Sequence, residues 1–480
     1  MRGAKGMGNM MKRLLCLLTC CVLLCGGTLP VFAEGDSEVP VSPFEANNSA
    51  VAYCIDTDQV LYAHGENKVH APGVVTKLMA LLVADELMES TGRSYSFELS
   101  VKQEWLTDTY VPGDRSSPYL GLSGGDTCTL EYLFACSMVS NANDACSVLV
   151  NYCAEELMFK TETEFLERMN ARAAELGMKD TVFEDTIGFG GKGKTTAADT
   201  AKLLATFYLR DDLVKLADCS SYGSIRNKNY LENDKFLQGY KTESAMGLIA
   251  GQATNDGGYH LATFCEKDGI AYAYVTMGGG TEHIDADGTR WFDTGNVYDD
   301  MVGMIPYVES TYSFVRLCAG QGETDVTFLA DLRMSGGAEE SLLRLVPSRT
   351  VEMMVANPTG AKIQVKVTFD KEKVYESQIK DKTYMTVDAP VKQGDVLGKA
   401  TFVLDGKELA TVDILAEKSV EVNTLLKMKL DMEKFLFGGA AGLVIRILLI
   451  IVGIWIFIAL AYWIYRKILA WYKKRNVNKL

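Results

Sequence analysis

The stretch Pro72-Gly73-Val74-Val75-Thr76-Lys77-Leu78-Met79 opens an apolar helix that continues through Leu81, Leu82, Val83, Ala84 and Leu87. A lysine in the first turn of so apolar a helix has few partners, and burial pushes its pKa down towards that of a usable base. In a Ser-x-x-Lys arrangement, residues i and i+3 share one helical face, so the amine can take the hydroxyl proton and create a nucleophile. Here the residue three before Lys77 is Val74, which has no nucleophilic atom. The base is present, and the group it should activate is missing.

Outward from that helix, the chain has 480 residues with 48% hydrophobic content, enough for two or three domains with sizeable cores. Its formal charge is -14, yet the first 33 residues and the last 40 carry basic residues and no acidic one. The part between is therefore more acidic than the whole. Phosphate binding needs a basic surface, so nucleic acid is excluded as a partner.

Residues 1–33 hold Arg2, Lys5, Lys12 and Arg13, an apolar run and then Val31-Phe32-Ala33, the pattern of a cleaved secretory signal. Residues 34–48 read as a flexible arm. Near the other end, residues 447–465 are uncharged and aromatic-rich, a length that matches the bilayer core. We expect a transmembrane helix over 441–465, with Arg446 snorkelling at its outer edge. Arg466, Lys467, Lys473, Lys474, Arg475 and Lys479 place a short tail, 466–480, in the cytoplasm. The topology expected is a single pass with the bulk of the chain outside. Eight cysteines remain after the signal, with no C-x-x-C spacing, and buried free thiols are expected, with any one disulfide open but unassignable.

Between these ends, two short strands around Asp56-Thr57-Asp58 precede the Lys77 helix. Apolar helices are expected over 130–138 and 145–152, with Val139-Ser140-Asn141-Ala142-Asn143-Asp144 between them, and further helices over 169–177 and 196–208. From Leu237 the period switches to two, and three antiparallel strands follow Lys241-Thr242-Glu243. The first domain covers 49–305. Short alternating segments over 306–420 read as a β-rich stem, a small β-sandwich, and 421–440 as an amphipathic connector into the span. The glycines over 188–193 lack the order of a P-loop, Asp285-Ala286-Asp287-Gly288 is too little of a calcium loop, and the four histidines show no ligand spacing, so no metal is assigned.

Three polar groups thus stand in order: Val74 with Lys77, Asn141 with Asn143, and Lys241-Thr242-Glu243. Their order and separation resemble the Ser-x-x-Lys, Ser-x-Asn and Lys-Thr-Gly set of penicillin-recognising serine enzymes. Together with Asn67, Pro72, Thr76-Lys77-Leu78-Met79, Ala142-Asn143-Asp144-Ala145, Leu176-Gly177-Met178-Lys179, Gly188, Thr196-Ala197 and Gly239-Tyr240-Lys241-Thr242, they resemble the low-molecular-weight D-alanyl-D-alanine carboxypeptidases over residues 50–308. Ala389-Pro390-Val391-Lys392-Gln393-Gly394 and Asp405-Gly406-Lys407-Glu408 look like that family's C-terminal β-domain. The resemblance implies an α+β, β-lactamase/transpeptidase-like fold: an antiparallel sheet flanked by helices, plus a helical subdomain, with the groove between them. It implies trimming of the terminal D-alanine from peptidoglycan stem peptides by an acyl-serine route with no cofactor.

The departures point the other way. Val74 stands at the nucleophile position, Asn141 at the second serine position and Glu243 at the third motif's glycine. Asn141 hydrogen-bonds but relays no proton as a hydroxyl does. Glu243 puts a carboxylate where the substrate's own carboxylate should lie. Thr76 and Ser140 are out of register, and Cys136 and Cys146 sit on apolar helices where a thiol is inert. The expectation is a membrane-anchored pseudoenzyme that binds wall peptide or a cell-wall enzyme. A working carboxypeptidase of unorthodox chemistry and a purely structural surface protein are the alternatives.

Overall fold

In the computed structural model, the described residues are 44, 47–106, 109, 119–189, 191–219, 221–223, 230–232, 245–252, 258–287, 290–293, 297–336, 342–356, 362–379, 381–425, 428–429, 432 and 439–477. The segment expected as a signal, most of the expected arm, and Lys241, Thr242 and Glu243 lie outside them. The chain forms two units, residues 1–315 with 353–357, and residues 316–352 with 358–480.

In the first unit, β1 (Ser49–Cys54) and β2 (Gln59–His64) form the expected hairpin. Helices follow at α1 (Val74–Thr91), α2 (Leu130–Val139), α3 (Asn143–Tyr152), α4 (Glu162–Glu175), α5 (Ala197–Tyr208) and α6 (Asp211–Ala217). The later strands are β3 (Ala245–Gln252), β4 (Tyr259–Lys267) and β5 (Ile270–Gly279), before α7 (Val297–Thr311). They build one antiparallel sheet in the order β2-β1-β5-β4-β3. Period-2 alternation sorts its side chains. Val51 and Tyr53 of β1 join Ala273, Val275 and Met277 of β5 in the helical core. Ala50, Ala52 and Cys54 join Tyr272 and Tyr274 against Tyr298, Met301, Met304 and Val308 of α7. Helices thus cover both faces, which is why β1 is buried at all six positions.

Helix α1 is the central element because its first ten residues, from Val74 to Val83, are all buried, and a helix apolar all round can only sit inside. It ends at Gly92, whose left-handed φ of 66° lets Arg93 N–H reach back to the Met88 carbonyl at 2.8 Å. Its second half is fixed laterally, Asp85 being paired to Arg210 and accepting from the Tyr95 hydroxyl at 2.7 Å.

The segment leading into α1 is latched to the sheet by two imidazoles. His260 Nε2 meets the Ala71 carbonyl at 2.8 Å, so that nitrogen carries the proton, and Nδ1 accepts the Gly278 amide at 3.1 Å. The Ser49 hydroxyl donates to the Gly65 carbonyl at 2.6 Å and must therefore accept from His70 Nε2 at 2.8 Å. The rings lie edge to face, 5.7 Å apart. Burial pushes the pKa of His70 down to about 4, with the charges of His260 and Lys68 adding to it, and burial lowers His260 too. Folding therefore favours the neutral rings: their contribution is whole above the unfolded value near 6.5 and is lost as pH falls towards 4. Between pH 6.5 and 5 we expect a loss of about 2 kcal/mol from His70. Thermal unfolding at pH 7 and 5 checks this; a midpoint unmoved by acid, or one that falls equally in His70→Asn, would count against it.

The second unit contains a seven-stranded mixed sheet, spatial order Gln364–Phe369, Val396–Leu404, Lys407–Ala416, Leu342–Pro347, Ala330–Ser335, Lys382–Asp388 and Val374–Ile379. Most of the strands expected in the stem are thus joined edge to edge in one ladder, with Ala330–Ser335 and Lys382–Asp388 parallel, while Val351–Ala356 belongs to a separate two-stranded sheet. Leu332, Leu343, Leu345, Phe402 and Ile414 fill its core. The chain then forms a 39-residue helix, Gly439–Val477. Its segment Ile447–Trp471 has mean hydropathy 2.8, long and apolar enough to cross a membrane. Among the described residues the eight cysteines are free thiols, and seven of them are buried.

Candidate active site

Helix α1 starts on a tight backbone turn. Gly73, at its N-cap, has φ 51°, and Gly188 packs so closely on the Gly73 carbonyl that a Cβ there would overlap it. Val74 and Lys77 follow, one turn apart, 2% and 4% exposed. Burial pushes the Lys77 pKa down to about 8, opposed by Cys146, Asp185 and Asp144. Among the described residues Lys77 has neither an ion-pair nor a hydrogen-bond partner, so desolvation is not offset by contact. Thr76, between them, is also buried, and its hydroxyl has no partner.

Asn141 is placed by the end of α2. The amides of Ser140 and Ala142 both turn back to the Cys136 carbonyl, at 3.1 and 3.2 Å, leaving Asn141 in left-handed backbone with φ 52°. Asparagine is the side chain, after glycine, that tolerates this conformation best. It is buried, and its Oδ1 has no partner. Asn143 opens α3 and is buried as well. Asp144 beside it accepts the amides of Leu120, Gly121 and Leu122 at 2.9 to 3.1 Å, which pins that loop to the start of α3.

Two contributors escaped the reading of motifs. Asp185 folds a turn by accepting the amides of Ile187, at 3.0 Å, and Gly188. Burial raises its pKa, those bonds and Lys77 oppose the rise, and its Oδ2 is buried without a partner. Cys146, on α3, meets the Thr186 carbonyl at 4.0 Å, and burial pushes its thiol up to about 12, leaving no thiolate to attack. Asp185 carries a signal in hindsight, an Asx residue two and three positions before the residues it caps. The structure therefore brings Lys77, Asp144, Asp185 and Cys146 into one electrostatic neighbourhood, while Lys241, Thr242 and Glu243 lie outside the described residues and β3, which follows them, forms the sheet edge. Ser49 near His70 is no substitute nucleophile, since it is fully buried and its proton points to Gly65. Among the described residues no group of His, Cys, Asp and Glu is arranged to hold a metal.

A five-stranded antiparallel sheet with helices on both faces, and a buried lysine one turn into its central helix, defines a transpeptidase or β-lactamase-like protein. The profile of the D-alanyl-D-alanine carboxypeptidase family matches residues 38–281, just over half the chain, and the chain belongs to that family. The C-terminal domain of penicillin-binding protein 5 matches residues 332–422. Among relatives, the D-alanyl-D-alanine carboxypeptidase DacC of Escherichia coli is 23% identical over 359 residues, 73% of this chain and 78% of its own length. DacF of Bacillus subtilis is 26% identical over 200 residues, 42% of this chain and 48% of the relative, so the match spans about half of that protein. Penicillin-binding protein 5 from Haemophilus influenzae shares the fold, with TM-score 0.60 at 17% identity over 82% of this chain and 100% of that one.

Proposed function

We propose that this chain is an extracytoplasmic, membrane-anchored member of its family that has lost acyl-serine chemistry and acts in peptidoglycan metabolism by binding wall peptide or a wall enzyme. One observation carries the reading: Val74 occupies the position one turn before an intact Lys77, and the side chain there has no atom that can attack a carbonyl. The orphaned Oδ1 of Asn141 and the carboxylate of Glu243 add to it. The runner-up, catalysis by other means, draws its support from the lowered pKa of Lys77, since a base is kept without a hydroxyl to serve.

Titration calorimetry with a stem pentapeptide tests the binding role. Heat saturating at millimolar ligand or below is expected; no heat would leave a protein partner or a scaffold as the role. Orientation is a proposal of the same kind: residues 1–33 leave as a signal, and the helix Gly439–Val477 holds the chain with residues 466–480 inside. Removing residues 435–480 should then release the remainder into the medium. Recovery of that truncated protein in the membrane fraction would refute the anchor.

A further inference from the structure

The helix Gly439–Val477 does not stop where its uncharged run stops. Residues 447–465 alone are about 28 Å long, close to the thickness of a hydrocarbon core. Residues 466–477 beyond them stay helical, so the basic residues there keep a helical order. Arg466, Lys467, Lys473 and Lys474 fall on one side, because positions one, seven and eight apart share a helical face. Ile468, Leu469, Trp471 and Tyr472 take the other side, with Arg475 among them one turn on. Ile468, Leu469 and Trp471 are exposed, and they carry the apolar surface of the span onwards. The Lys467 ammonium stands 4.2 Å from the centre of the Trp463 ring, one turn back, a cation at the level of interfacial aromatics. No acidic residue follows Glu433, so no acidic side chain of this segment offsets the charge.

We propose that this end of the helix is a binding surface for anionic phospholipid headgroups, which gather around the chain in the leaflet it enters. The inference rests on the anchor reading above. Two features together select such a partner. Positive charges on one side match a layer of phosphates, and the apolar side matches the acyl boundary next to it. A water-soluble anion would satisfy only the first, and a zwitterionic headgroup carries no net charge to be attracted. The reach is sufficient as well. Lys474 lies about 14 Å along the axis past Tyr465, roughly one Debye length beyond the headgroup layer.

The test uses the full chain reconstituted into vesicles of nine parts phosphatidylcholine to one of phosphatidylglycerol. Each lipid in turn carries a dansyl group on its acyl chain, and energy transfer from Trp455, Trp463 and Trp471 reports which lipid sits beside the helix. Labelled phosphatidylglycerol should be enriched about fivefold over labelled phosphatidylcholine, the factor that one basic residue near a charged surface supplies. High salt, or Lys473→Gln together with Lys474→Gln, should cut that enrichment by about half or more. Equal transfer to both lipids overturns the proposal, as does an enrichment that the double variant leaves unchanged. Inorganic phosphate should compete no better than sodium chloride at the same ionic strength; specific displacement by phosphate would mark a site for a free anion and overturn the lipid surface. Alkaline carbonate extraction of the same vesicles keeps the two readings apart. A chain that is extracted defeats the anchor and this inference with it, whereas a chain that stays but gathers both lipids equally defeats the lipid surface alone.

Discussion

The purified chain is expected to release no D-alanine from a stem pentapeptide and to take no ester-linked label from a fluorescent penicillin. The reason is atomic. Lys77 can accept a proton, but Val74 has none to give and no lone pair with which to attack. Losing the nucleophile of a covalent hydrolase removes about six orders of magnitude in rate, nearly the whole enzymatic contribution. Val74→Ser alone should recover little. An amide at Asn141 still relays no proton, and Glu243 still stands in the sequence where the resemblance expects a glycine. Adding Asn141→Ser and Glu243→Gly should bring back slow acylation, since the Gly73–Gly188 turn and the buried lysine are in place. A hydroxylamine-labile label on the unaltered protein, abolished by Lys77→Ala, would sink the pseudoenzyme reading and promote an active enzyme.

Replacing Lys77 by methionine should make the protein more stable at neutral pH. The folded amine titrates near 8 and the unfolded one near 10.5, so below pH 8 the unfolded chain holds its proton more readily and folding bears the full difference. That difference is about 3 kcal/mol for a side chain so deeply buried. As pH rises from 8 to 10.5 the penalty fades, and the wild type should gain on the variant through that window. Methionine matches the length of the lysine stem and needs no counter-charge, so Lys77→Met should unfold at higher urea at pH 7 and at nearly equal urea at pH 10.5. A variant less stable than wild type at pH 7, or a gap that does not change with pH, would show that Lys77 has a partner that offsets its burial.

Asn141 shows how sequence and structure divide the explanation. In sequence it stands where the resemblance expects a serine. In the structure it is the residue beyond the end of α2 that must take left-handed backbone, a conformation in which asparagine is well tolerated. The two His residues are the reverse case. His70 and His260 show no metal-ligand spacing, and nothing in the sequence hints that each would hold a specific backbone or hydroxyl group at the entrance to α1.

The sequence by itself determined the elements whose signals are local. The apolar run after Gly73, the alternation of β1, β4 and β5, and the uncharged run 447–465 of the last helix follow from side chains three, four or two apart, which backbone geometry brings to one face whatever the rest of the chain does. That Val74 and Lys77 stand one turn apart on α1 was legible for the same reason. What only the tertiary structure decided is which distant groups share the site. Asp185 reaches the electrostatic neighbourhood of Lys77, and Asp144 binds the amides of Leu120 to Leu122, because a sheet covered on both faces leaves α1 buried and brings the turns at its start together. Such contacts depend on packing between segments far apart in the chain, and no spacing along it encodes them.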